Sequence, residues 1–201
     1  MENLLLDREG YVRITDFGLC KENMDAYSHT STFCGTPELI APEHITESSY
    51  TRAVDWWALG VIMFALLVGG YPFTGDNDEE LYSSIVKDEI EYPSSLSVES
   101  ILFMKFLLER EPLLRLGSGE EDAEEVKADE FFNQFNFDAL LAKTIPAPFV
   151  PTLKNAEDVS NFDEEFTKTC AVLTPAKGHP KVCKKNQKKF ADFDYQTNWT
   201  S

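Results

Sequence analysis

The chain has 201 residues, 43% of them apolar, and a formal charge of −17, which allows one domain plus a tail, or a piece of a domain, with a packed core. A surface this acidic repels phosphate backbones and anionic head groups, which sets nucleic acid aside as a partner. The four cysteines (Cys20, Cys34, Cys170, Cys183) form no C-x-x-C pair and the three histidines stand far from each other, so there is neither a zinc pattern nor a disulfide framework; free thiols fit a reducing cytosol or nucleus.

Leu4-Leu5-Leu6-Asp7, a turn at Arg8-Glu9-Gly10, and Tyr11, Val12, Ile14 and Thr15 read as a small hairpin. From Asp16 to Glu43 periodicity fades and Ser, Thr and Gly are frequent, the mark of a long loop of the kind that carries function. Val54 to Val68 is apolar nearly all round, which predicts a helix buried on every side. The uncharged stretch from Trp56 to Phe73 is broken by Gly69-Gly70 and Pro72, leaving too little for the roughly 20 residues a membrane span needs. Acids at Asp76, Asp78, Glu79 and Glu80 open the next predicted helix, with Leu81, Ile85 and Val86 inward. Asp76-x-Asp78 is not a calcium loop, because Leu81 and Lys87 stand where Gly and Glu are needed.

Ser97 caps a further helix carrying Ile101, Met104, Leu107 and Leu108, and Pro112 follows its end. A last helix is predicted over Asp122 to Phe132. Beyond Asn133, the prolines at 146, 148 and 151 argue for an extended tail wrapped on the body. Lys181, Lys184, Lys185, Lys188 and Lys189 form a basic cluster that reads as a solvated tail before it reads as an anion-docking patch. The Asn198-Trp199-Thr200 sequon, with no secretory signal, reads as chance.

Several blocks fall in a telling order. Asp16-Phe17-Gly18 follows the hairpin, Ala41-Pro42-Glu43 closes the long loop, Asp55-Trp56-Trp57-Ala58-Leu59-Gly60 comes next, and Arg115-Leu116-Gly117 lies further on. This set resembles the C-lobe of eukaryotic protein kinases. The resemblance implies a mainly α fold: a hairpin followed by a helical bundle over residues 1–132, an extended C-terminal tail over 133–201, and no N-lobe. Thr32, ahead of Phe33-Cys34-Gly35-Thr36-Pro37-Glu38, resembles the activation-segment phosphosite of the AGC group. Val159 to Phe166 resembles that group's tail segment near the ATP site, Thr174-Pro175 its turn-motif phosphosite, and Phe190, Phe193, Asp194 and Tyr195 its hydrophobic motif. A fixed acid at Asp194, with Thr51 to Trp57 and Leu19-Cys20-Lys21-Glu22, looks like the protein kinase N branch.

What the resemblance implies for chemistry follows residue by residue. Asp16 matches the carboxylate that bridges magnesium to the ATP phosphates, and Asn3 the amide that holds a second magnesium. Glu43 and Arg115 are expected to pair, Asp55 to anchor the catalytic-loop backbone, and Thr36 to lie in the substrate region. The catalytic Asp of the H-R-D motif belongs five residues before Asn3, upstream of Met1, which reads as an internal methionine. The Gly-rich loop and the ATP-binding lysine are upstream as well. The expectation is therefore a serine/threonine kinase of the cytoplasm, nucleus or membrane periphery, using ATP and Mg on protein substrates. An upstream phosphoinositide-dependent kinase would act on Thr32, and a Rho-type small GTPase would act through regions not in this chain. The chain alone is expected to be inactive. The rival expectation is a noncatalytic fragment whose Phe190 and Phe193 dock on another kinase.

Overall fold

The computed structural model describes residues 1–170, 172 and 188. The chain divides into two compact units, the first Met1–Pro151 and the second beginning at Thr152. Among the described residues the architecture is mainly helical with one two-stranded antiparallel sheet.

Strand β1 (Leu4–Leu6) pairs with β2 (Val12–Ile14) in the register Leu4↔Ile14, Leu5↔Arg13, Leu6↔Val12. Asp7 makes the turn. Its Oδ1 accepts from the backbone N–H of Glu9 and of Tyr11, at 2.9 and 3.0 Å, the local bonding that makes aspartate a turn former.

The long loop ends in a 3-10 turn, Pro37–Leu39, and helix α1 (Pro42–Thr46). Helix α2 (Ala53–Val68) follows and stops at Gly69, whose left-handed φ of 88° lets its N–H close on the Ala65 carbonyl. Helix α3 (Asp78–Lys87) is capped by the Asn77 side chain, which the sequence reading did not single out, and α4 (Val98–Leu107) by Ser97, as expected. Trp57, Val61, Phe73, Leu81, Ile85 and Leu108 form the main core. A Cβ on Gly60 would lie 2.9 Å from the Leu107 Cβ, so this glycine lets α2 and α4 approach closely.

Three expectations are corrected. Helix α2 is not buried on every side: Leu59, Leu66, Leu67 and Val68 are exposed, because it packs chiefly through one side, on α4 and the 3-10 turns. The single helix over 122–132 is instead α5 (Ala123–Lys127) and a 3-10 turn, Glu130–Phe132. The Asp129 carboxylate breaks the run by accepting from the Phe131 N–H at 2.9 Å, the competition that makes Asp a poor interior helix residue. The stretch after Asn133 is not uniformly extended. Helix α6 (Phe137–Leu141), capped by Asn136, precedes an irregular run that returns to the hairpin, and α7 (Glu164–Thr167) lies in the second unit.

Candidate functional site

The hairpin places the first two candidate residues. Thr15, next after β2, donates to the Asn3 carbonyl from its N–H at 2.9 Å and from its hydroxyl at 3.2 Å. Asn3 is thereby fixed one residue from Asp16. Both side chains are exposed. Asp16 has φ 58°, a left-handed conformation uncommon for a residue with a side chain and one that clusters at functional sites. Its Oδ1 accepts from the Gly18 N–H at 3.1 Å, and Oδ2 takes no hydrogen bond among the described residues. An amide and a carboxylate are hard oxygen donors. Two such ligands fit magnesium, which fills its octahedron with water and phosphate oxygens. Among the described residues no group of three or more His, Cys, Asp or Glu could hold a metal, so any metal here needs ligands from a nucleotide or solvent.

The loop after Asp16 is laid against the start of α2. Thr30 and Tyr50 exchange backbone hydrogen bonds at 2.9 and 2.8 Å. The Tyr50 hydroxyl donates to the Thr32 carbonyl at 2.5 Å, and Lys21 Nζ donates to the Thr30 hydroxyl at 2.8 Å. Thr32 and Thr36 are both exposed. Phe33 sets its ring edge-on to His44 and Tyr82. His44, half-buried, has its pKa pushed below the ordinary histidine value by burial. A cleft of about 620 Å³ opens between this loop and α2, with Gly18, Lys21, Thr32, Thr36, Tyr50 and Asp55 in its wall.

Glu43 and Arg115 meet as a two-pronged pair, Nη1 to Oε1 at 2.6 Å and Nη2 to Oε2 at 2.9 Å, both side chains buried. Arg115 also donates to the carbonyls of Ala53 and Glu109, at 2.9 Å each, and its guanidinium lies 5.2 Å from the Trp57 ring centroid. The pair therefore ties the loop's end to α2 and to the turn after α4. Asp55 faces the cleft, and its side chain accepts no hydrogen bond among the described residues. Loss of solvation and the charge of Asp122 push its pKa up.

Thr174, Phe190, Phe193, Asp194 and Tyr195 lie outside the described residues. In the second unit, Asp158 accepts from the N–H groups of Lys154 and Ser160 at 2.8 and 3.0 Å, which lowers its pKa to about 2.

The structure thus brings Asn3 and Asp16 together, joins Glu43 to Arg115, and sets Thr32, Thr36 and Asp55 around one cleft. Sequence reasoning missed Tyr50, Lys21 and Thr15. Thr15 carried a signal, standing directly before Asp16 on the predicted strand; Tyr50 carried none, because its partners lie about twenty residues away in an aperiodic loop.

The family described as protein kinase domain matches residues 1–132, and the protein kinase C terminal domain matches residues 153–195. Serine/threonine-protein kinase N2 of Danio rerio is 57% identical over 199 residues, covering 99% of this chain and 20% of the relative. Serine/threonine-protein kinase N3 of Mus musculus is 48% identical over 195 residues, 97% of this chain and 22% of the relative. A protein kinase C of Aspergillus fumigatus is 45% identical over 199 residues, 99% and 18%. The chain spans about a fifth of the length of these relatives.

Proposed function

The chain belongs to the protein kinase family, and on that premise we propose that it supplies the metal-binding loop, the activation segment and the C-terminal tail of a serine/threonine kinase of the protein kinase N type. The observation that carries this reading is the pairing of Asn3 with Thr15, which sets two oxygen donors at the mouth of the hairpin. Protein kinases in general use ATP and magnesium; bound there, magnesium would neutralise charge on the phosphates. Asp16 and Asn3 would orient it, and Thr36 with the neighbouring loop would lie along the protein substrate. The buried Glu43–Arg115 pair supports this arrangement by fixing the far end of the same loop.

Phosphoryl transfer rests on positioning a base, a metal and a phosphate together. Residues 1–201 hold the metal side without the H-R-D aspartate, the Gly-rich loop or the ATP-binding lysine, so this chain by itself is inactive. Residues 1–132 act as the catalytic-domain part and 133–201 as the tail. Exposed Thr32 takes a phosphate from an upstream phosphoinositide-dependent kinase, and a Rho-type GTPase regulates the longer protein, in the cytoplasm.

The test is a chimera in which residues 1–201 replace the aligned 199-residue stretch of the zebrafish relative. It should phosphorylate a basic Ser/Thr peptide, Asp16→Ala should lower kcat by about a hundredfold or more, and the 201-residue chain should show no transfer. An inactive chimera that is folded, or an active isolated chain, overturns the reading.

A further inference from the structure

A two-stranded hairpin standing alone is marginal in water. Here each strand has three residues, and Leu5, Leu6, Val12 and Ile14 are exposed. The hairpin therefore needs support from elsewhere, and the support lies about 130 residues away. The Tyr11 hydroxyl is shared between the carbonyls of Lys143 and Ile145, at 3.0 and 2.8 Å. Lys143 reaches back, with Nζ 3.2 Å from Asp7 Oδ2, in contact with Glu9, and 4.8 Å from the Tyr11 ring centroid. Arg13 closes on the same Asp7 oxygen at 3.0 Å. At the turn, a Cβ on Gly10 would lie 2.1 Å from the Phe149 carbonyl oxygen, so the returning chain presses directly on the hairpin's tip. Lys143 itself has φ 55°, a conformation that turns the chain off the end of α6 and back toward β1 and β2.

We propose that residues 143–149 are a clasp that holds the metal-binding hairpin in place, with Tyr11 and Lys143 as positioning residues for Asn3 and Asp16. The mechanical path is short. Asn3 precedes β1 by one residue, Asp16 follows β2 by two, and Thr15 ties the two ends together. Tilting or fraying the hairpin at its tip moves both oxygen donors at its mouth. Among the described residues, the two carbonyls that take the Tyr11 hydroxyl belong to a segment with no other hydrogen bond or ion pair to the donors, so the effect passes through the hairpin. This inference rests on the kinase reading for its function, but the clasp itself does not.

Two arms separate these. In the 201-residue chain, Tyr11→Phe and Lys143→Met should each speed amide hydrogen exchange across residues 4–14 about fivefold, the effect of losing one net hydrogen bond or exposed ion pair, while α2 exchanges as before. In the chimera described above, the same changes should raise KM for Mg–ATP about fivefold and lower kcat with it, because Asp16 is displaced together with the hairpin. Unchanged exchange over 4–14 overturns the clasp. Faster exchange with an unmoved KM leaves a support with no role in positioning and overturns that role. A wild-type chimera that folds but does not transfer phosphate defeats the kinase reading, and the positioning role with it, while the exchange data still decide the clasp.

Discussion

Arg115 is the most constrained charged residue described. Its guanidinium is buried and makes four hydrogen bonds, to Glu43, Ala53 and Glu109. A buried pair of this kind adds little over a well-packed apolar one, yet removing one partner strands a charge. Glu43→Ala should therefore lower the unfolding free energy by about 3–5 kcal/mol, measured by urea denaturation, and adding Arg115→Met should recover part of it. Asp55 presents the opposite case. Its pKa is raised in the fold, by lost solvation and then by Asp122, so the folded chain holds the Asp55 proton more tightly than the unfolded one. Stability from this residue is greatest at low pH and falls as pH rises from the ordinary carboxylate range, about 3.9, through the raised folded value. Asp55→Asn should raise Tm at pH 7, and the gain should shrink as pH approaches 4; a lower Tm at pH 7 would show that the carboxylate has a stabilising partner.

At the scale of elements, the helices follow their local signals and the loop does not. Helix α3 begins where Asn77 accepts from the Glu80 N–H at 3.0 Å, with three acids in its first turn and Lys87 in its last, all favourable to the helix dipole. Asn77→Ala should cost about 1 kcal/mol of stability, read from the shift in denaturation midpoint. The loop from Asp16 to Glu43 owes its course to distant partners instead. Tyr50 holds Thr30 and Thr32, and aromatic edges from His44 and Tyr82 receive Phe33. Such contacts set the path of the loop without leaving a periodic trace.

For the molecule as a whole, the first unit is a helical core with a hairpin attached by its mouth and its tip. The main core of Trp57, Phe73 and Ile85 is joined by a second cluster, Phe103, Leu107 and Val126, packed on Trp56 and Phe132. Leu66, Leu67, Val98, Leu102 and Phe106 are exposed on α2 and α4. A net charge of −17 favours electrostatic repulsion between copies of the chain.

The residue types and their order were enough to predict a mainly α kinase-type body and the cap at Ser97, and to name the candidates Asn3, Asp16, Thr32, Glu43, Asp55 and Arg115. These signals are local, in a cap, a turn or a short motif, and a sequence displays local chemistry directly. The tertiary structure alone decided that α2 leaves one side open, that the 122–132 run breaks at Asp129, and that residues 143–149 return to Tyr11. Each depends on which groups meet across dozens of residues, and a hydrogen bond from a hydroxyl to a distant carbonyl imposes no spacing on the chain between them.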